Sequence, residues 1–143
     1  MWQQMERHVQ SGEVRALGIS NCYDVGALSK LHALAAVKPS VVQNRFHAAT
    51  RYDREIRAFC RTHGATYQSF WTLTANRNII QGRAVRDVAR AHGCTPEQAW
   101  LGFVRALCCV PLSGTTTDEH MRHDLDLPLL SEAEVRRLSQ LID

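Results

Sequence analysis

Four short stretches hold the side chains whose types and spacing suit chemistry. Val14–Cys22 (VRALGISNC) reads as a buried strand, Val14 to Ile19, that ends in the polar pair Ser20–Asn21. Ser40–His47 (SVVQNRFH) is a β-rich run interrupted by Gln43. Thr66–Leu73 (TYQSFWTL) carries Phe70 and Trp71, and Cys108–Thr115 (CCVPLSGT) ends in Ser113–Gly114–Thr115. A polar pair between an apolar strand and a helix is where α/β proteins place ligand contacts. The Asn21 amide offers a donor and an acceptor, which suits a carboxamide ligand; a turn or a helix cap uses the same residue types. A buried Gln must be hydrogen-bonded, so either a ligand or a neighbouring strand serves Gln43. Phe70 and Trp71 read first as core, although a flat ring at a strand's end also stacks on a flat heterocycle. Ser113–Gly114–Thr115–Thr116–Thr117 stands before a short helix. Its backbone N–H groups, hydroxyls and helix N-terminus suit a phosphate, and a capped polar loop has the same composition.

These residues need a scaffold, and hydrophobic periodicity supplies one. Met1–Ser11 places Trp2, Met5 and Val9 on one helical stripe, with Gly12 as its stop. Asp24 is the expected N-cap of a helix whose stripe is Val25, Leu28, Leu31, Leu34 and Ala35. Thr50 or Asp53 is expected to cap a third helix that buries Ile56, Phe59 and Cys60 and stops at Gly64. Thr74–Gln81 reads as a loop. Arg83–His92 reads as a helix with Val85, Val88 and Ala89 inward. Thr95–Pro96–Glu97–Gln98 is a strong helix start, followed by Ala99, Trp100, Phe103 and Val104 on the buried side. Leu107–Leu112 reads as the fourth strand, with Pro111 near its end. Thr117–Asp118 begins a short helix, and Ser131–Glu134 is a capping box for a last one with Val135, Leu138 and Leu141 inward. The order is a helix followed by four strand–helix units, which means a parallel sheet with right-handed crossovers. The expectation is four strands pointing their C-terminal ends at one ligand, either as a compact doubly wound domain or as half of an eight-fold barrel. A full barrel takes roughly 250 residues.

Composition narrows the function classes. The chain has 143 residues, 45% of them apolar, enough for one domain with a core. Its net charge of +3 is scattered, with no run of five like charges, which argues against a nucleic-acid-binding arm. The five cysteines (Cys22, Cys60, Cys94, Cys108 and Cys109) are odd in number and lack C-x-x-C spacing, so reduced, mostly buried thiols in a cytoplasmic protein are expected. No apolar run approaches 18 residues and no signal peptide is recognisable, so neither membrane insertion nor secretion is indicated. His8, His32, His63 and His92 fall near helix ends and are expected in solvent. His47 and His120 stand nearer the expected ligand face. Spacing supports no metal cluster and no Ser-His-Asp arrangement.

Taken together, these stretches resemble the aldo/keto reductase family over essentially the whole chain. WQQMERHVQSGEVRALGISN is similar to the family pattern W-x-x-x-E-x-x-x-x-x-G-x-x-R-x-x-G-x-S-N. KPSVVQNRFH, YQSFWTL, AHGCTPEQAWL, VPLSGTTTDEHMRHDL and LSEAEVRRL follow in family order. The forms QNRFH and QSFWTLTAN look most like a diketogulonate-reductase-like branch. The resemblance implies an α/β chain forming the C-terminal half, about four β/α units, of a (β/α)8 barrel that reduces aldehydes or ketones with NAD(P)H. It implies one domain over residues 1–143, truncated at its N-terminal side. By the same resemblance the nicotinamide meets Ser20, Asn21, Gln43 and Phe70, with Trp71 beside it, and Leu73 is a further cofactor-binding residue. The adenosine and its phosphates meet Ser113, Gly114 and Thr115, with His120 and Asp124 on the following helix.

Two departures from the family pattern matter. Leu112 stands where the family often has Lys, and His120 where Arg is common, so the implied cofactor is NADP with NAD also open. The family's catalytic Asp, Tyr, Lys and His lie on strands that would precede Met1, so no catalytic residue is expected here. The expectation is a reductase fragment, inactive alone, with a non-catalytic nucleotide-binding or regulatory remnant as the alternative and an incomplete gene as another source. Its partners would be a nicotinamide dinucleotide and a small carbonyl substrate. Self-association is expected through the strand edges Val14–Ile19 and Leu107–Leu112.

Overall fold

The computed structural model describes residues 1–143, which divide into two compact units. The first unit comprises Met1–Asn44 and Asp53–Gln68, the second Arg45–Tyr52 and Ser69–Asp143. Four strands, β1 (Leu17–Ser20), β2 (Pro39–Arg45), β3 (Thr66–Phe70) and β4 (Cys109–Pro111), form one parallel sheet in the order β1-β2-β3-β4. Each strand lies beside its successor in the chain, with helices between them. A doubly wound domain reverses direction at a switch point, whereas a barrel advances in one direction. The order therefore decides for the barrel-type half.

In the first unit, α1 (Trp2–Gln10) presents Trp2, Met5 and Val9 as expected, all half-buried, but its most buried residue is Glu6. Glu6 Oε1 accepts from the Val37 N–H at 3.0 Å, and the Trp2 indole donates to the Val37 carbonyl at 3.1 Å. One residue on the approach to β2, Val37, is thereby held through both its N–H and its carbonyl. The expected strand Val14–Ile19 is shorter: it begins at Leu17, the one buried residue of that stretch. The Val14 N–H bonds the His8 carbonyl at 3.1 Å, so the chain before Leu17 completes the exit from α1 and leaves Val14 exposed. β1 runs parallel to β2, with Gly18 opposite Val41 and Ser20 opposite Gln43.

Asp24 caps α2 (Val25–Leu34) as expected, its carboxylate accepting from the Gly26 and Ala27 N–H groups at 2.8 and 3.1 Å. The stripe differs at one point. Leu28 and Ala35 are buried, but Leu34 is 77% exposed, because the helix ends there and Ala35 turns extended. α3 (Arg54–His63) buries Ile56, Phe59 and Cys60 as expected, and Arg57 with them, and stops at Gly64, whose left-handed φ of 69° suits glycine.

In the second unit, Thr74–Gln81 is not a loop. A 3₁₀ turn, Thr74–Asn76, leads into α4 (Arg77–Ile80) and buries Asn76 and Ile80. Asn76 supplies the reason: its amide donates to the Phe46 and Thr72 carbonyls at 2.7 and 2.9 Å, ordering a segment whose composition reads as loop. α5 (Arg83–Ala91) packs on α6 (Pro96–Ala106), the central helix of this unit. The capping box at Thr95 and Gln98 is formed, and Ala99 to Val104 are all buried. Gly102 permits a close approach: a Cβ there would stand 2.9 Å from the Pro128 carbonyl oxygen. The fourth strand spans Cys109–Pro111 rather than Leu107–Leu112, since Leu107 still bonds back into the last turn of α6. α7 (Asp118–Leu125) and α8 (Glu132–Ser139) follow. The Ser131–Glu134 capping box is formed, but α8 ends at Ser139, so Ile142 rather than Leu141 turns into the core beside Leu138. No helix is long and apolar enough to cross a membrane.

Candidate functional site

At the tips of β1 and β2 the first unit gathers three of the expected residues. The Gln43 carbonyl accepts from the Asn21 N–H at 3.0 Å and from Ser20 Oγ at 2.9 Å. Asn21 Nδ2 donates to Ser20 Oγ at 3.2 Å, and the Tyr23 hydroxyl donates to Asn21 Oδ1 at 3.1 Å. Asn21 sits at φ 56°, a left-handed conformation that Asn tolerates better than most residues. Its amide is exposed and oriented at both ends. The half-buried Gln43 amide donates to Gln68 Oε1 at 2.8 Å. Of the two partners open to Gln43, a neighbouring strand is the one observed, and Gln68 joins the cluster unforeseen.

A buried polar frame lies behind this cluster. Asn44 accepts from the Cys22 N–H at 2.9 Å and donates to the Cys22 carbonyl at 2.7 Å, fixing the turn that follows Asn21. Asn44 Nδ2 also donates to Asp53 Oδ2 at 2.7 Å, and the Tyr67 hydroxyl donates to the same oxygen at 2.9 Å. Asp53 occupies the position before α3 that the sequence assigns to a cap, but makes no capping bond; its carboxylate is committed to this frame instead. Burial pushes the Cys60 thiol up to about 11, with the Asp53 charge adding to it, and raises Cys22 in the same direction. Both are inert thiols rather than nucleophiles.

In the second unit, Phe70 and Trp71 correct the expectation that they serve as core. Phe70 is half-buried and Trp71 is 53% exposed. Trp71 stands at φ 58°, and the Arg45 guanidinium lies 4.1 Å from its ring centroid and 5.9 Å from that of Phe70. An exposed cation over an indole contributes about 0.5–1 kcal/mol, enough to hold the ring's orientation. The strand behind them is pinned by Thr72: its hydroxyl donates to the Ser69 carbonyl at 2.9 Å, and its carbonyl accepts the Trp100 indole N–H at 2.9 Å.

The same unit holds a cleft of about 440 Å³ lined by Leu73, Ser113, Gly114, Thr115, His120 and Asp124. Ser113 Oγ donates to Asp124 Oδ2 at 2.6 Å. The Thr115 and Thr117 hydroxyls lie 3.1 Å apart and meet His120 Nδ1 at 3.3 and 3.0 Å. Thr117 precedes α7 but spends its hydroxyl on this network rather than on the helix. Sequence reasoning missed part of the wall: Thr95, Glu97 and Gln98 from the start of α6, and Glu119 and His123 on α7, also line the cleft. The strong start signal at Thr95 reads locally, and nothing in it reports which loop it will face. Of the other histidines, His8, His63 and His92 are exposed as expected, whereas His32 is half-buried with its ring 4.5 Å from that of His63 and against Phe59; His92 pairs with Glu134 at 3.0 Å.

Known proteins share this architecture. The Aldo/keto reductase family model matches residues 1–143. The aldose reductase of Encephalitozoon cuniculi is 24% identical over 99% of this chain, and the glycerol 2-dehydrogenase (NADP(+)) of Hypocrea jecorina is 29% identical over 98%. The chain spans about half the length of these relatives, 48% and 46%. A Bombyx mori aldo-keto reductase, determined in complex with NADP, superposes with a TM-score of 0.85 at 19% identity, covering 97% of this chain and 48% of that one. With the family matched from end to end and the strands in the parallel order of half a barrel, this chain belongs to the aldo/keto reductase family.

Proposed function

We propose that this chain carries the dinucleotide-binding part of an NAD(P)H-dependent reductase that converts aldehydes or ketones to alcohols. The observation that carries the reading is that the five residues expected at the adenosine end, Ser113, Gly114, Thr115, His120 and Asp124, line one cleft together with Leu73. Its volume of about 440 Å³ lies in the range of small-molecule sites, and its hydroxyls and imidazoles match a nucleotide's polar groups. Bound there, the dinucleotide supplies a hydride. The residues supply binding and orientation. The exposed Asn21 amide, fixed by Ser20 and Tyr23, presents a donor and an acceptor of the kind a carboxamide needs, and Gln43 and Gln68 offer a second amide pair. Phe70 and Trp71 offer flat apolar faces.

Reduction also needs an acid for the developing alkoxide, typically a tyrosine with a lowered pKa. The tyrosines here do not suit. Burial raises Tyr52, Tyr67 is buried with its proton on Asp53, and Tyr23 donates to Asn21. The proposal is therefore that residues 1–143 form a single truncated domain that binds the cofactor without turnover, and that the proton donor comes from residues outside it. β1 and β4 end the strand order and are the proposed edges for a complementing segment or a second copy. The free cysteines fit a reducing compartment, for which we propose the cytoplasm. The test is a fluorescence titration of the full chain with NADH and NADPH beside a steady-state assay with an aromatic aldehyde. Saturable quenching without turnover is expected. Ordinary enzyme turnover overturns the claim of a missing acid, and absence of any binding overturns the reading as a whole.

A further inference from the structure

We infer that the second-unit cleft selects a dinucleotide whose adenosine ribose carries a free 2′-hydroxyl, and rejects the 2′-phosphorylated form, through Glu119 and Asp124. This rests on the dinucleotide reading above and adds the chemistry of one subsite to it. Three observations carry it. First, the cleft's ionisable lining is three carboxylates, Glu97, Glu119 and Asp124, with His120 and His123, and no Lys or Arg is among the lining residues. A phosphate dianion is held by guanidinium or ammonium groups, and a carboxylate beside it repels it.

Second, the N-terminus of α7 is the natural anion site of this loop, but Asp118 and Glu119 occupy its first turn. They place negative charge where the helix dipole would otherwise favour a phosphate. Third, the polar groups of the cleft already form a network suited to hydroxyls. Asp124 accepts from Ser113 Oγ, and Thr115 and Thr117 engage His120 Nδ1. A vicinal diol donates two hydrogen bonds to a carboxylate and adds to such a network without bringing charge. His120 is the one side chain in it that becomes cationic, and Glu119 is its immediate neighbour in sequence.

Calorimetric titration of the full chain with NADH and with NADPH tests this. NADH is expected to bind on the order of tenfold more tightly, and the gap is expected to narrow as salt rises, because the opposing term is charge repulsion across a solvated cleft. Glu119→Gln and Asp124→Asn are expected to improve NADPH several-fold while leaving the melting temperature close to the parent, since neither side chain is fully buried. Titration with 2′,5′-ADP against 5′-AMP repeats the comparison without the nicotinamide. Equal affinities, or tighter NADPH, overturn the selectivity and leave the dinucleotide reading standing. A preference for NADH that neither variant narrows overturns its assignment to these two carboxylates. Failure of both dinucleotides to bind overturns the functional reading itself.

Discussion

The polar groups at the strand tips of the first unit are neutral, amide-rich and already partnered: Asn21 with Ser20 and Tyr23, Gln43 with Gln68. Those of the second-unit cleft are ionisable and hydroxyl-bearing, with Glu97, Glu119, Asp124, His120 and His123 around Ser113 and Thr115. The supports differ as well. The first cluster rests on a buried hydrogen-bond frame, Asn44–Asp53–Tyr67, while the second unit rests on apolar packing around α6. The two regions are therefore fragile in different ways. A hydrogen-bond frame fails when one partner is left unsatisfied; an apolar core fails when volume is lost. Sensitivity to charge belongs to the cleft, and sensitivity to backbone conformation belongs to the tips.

Trp100→Ala is the largest expected effect. Its ring is fully buried against Phe46 and Phe103, and its indole N–H holds the Thr72 carbonyl. Truncation is expected to cost about 4 kcal/mol, read by urea unfolding, and to abolish the cleft's nucleotide binding. A loss under about 1 kcal/mol would show that α6 is not what organises the second unit. Asp53→Ala comes next, at about 3 kcal/mol, because it leaves the buried Asn44 amide and Tyr67 hydroxyl short of an acceptor. If the comparison holds, Asn44→Ala and Asp53→Ala together cost clearly less than the sum of the single losses, since they remove one shared bond.

The sequence made the helices and the sheet order legible for a physical reason: capping residues and 3.6-residue periodicity act within a few positions of themselves. Asp24, Thr95 and Ser131 all cap as read, and Val85, Val88 and Ala89 are buried as read. What misled was anything settled by a distant partner. Asp53 looks like a cap until Asn44 and Tyr67 claim it. Thr74–Gln81 looks like a loop until Asn76 bonds to the Phe46 carbonyl. Trp71 looks like core because bulk apolar side chains usually are, yet a positive φ at the end of β3 turns it outward beneath Arg45. Of the candidate site, the loop Ser113–Thr115 and the pair Ser20–Asn21 were legible as motifs, whereas Glu97 and Glu119 were not, because nothing in the helix-start pattern at Thr95 announces a shared cleft.

Asn21 sharpens the comparison on the side of backbone conformation. Asn21→Ala keeps a φ of 56° only with strain and loses the amide; Asn21→Gly relieves the strain and loses the same amide. The first is expected to cost about 1 kcal/mol of stability and the second only a few tenths. Both are expected to weaken dinucleotide binding by about tenfold, equivalent to roughly 1.4 kcal/mol. A glycine variant that binds like the parent would remove the amide from the site and leave Asn21 as a turn residue.

The smallest effects come with acid, and they fall in two pH windows. In the first unit, desolvation, aided by the His63 and Lys38 charges, holds His32 below its ordinary value of 6.5. The unfolded chain therefore takes up a proton first, and stability present above pH 6.5 is lost as pH falls below it. In the second unit, the Ser131 N–H and hydroxyl, and after them His92, hold Glu134 below its ordinary 4.5. That stability persists through the His32 window and is lost only as pH falls from 4.5 through the lower folded value. Urea midpoints followed from pH 7.5 to about 3 are expected to fall in these two stages. His32→Phe, which keeps a ring edge against Phe59, is expected to flatten the first stage alone. Ser131→Ala is expected to cost about 1 kcal/mol at neutral pH and to shrink the second without abolishing it, because the backbone N–H at that position still donates to Glu134. If His32→Phe leaves the first stage unchanged, the early acid response does not lie in His32.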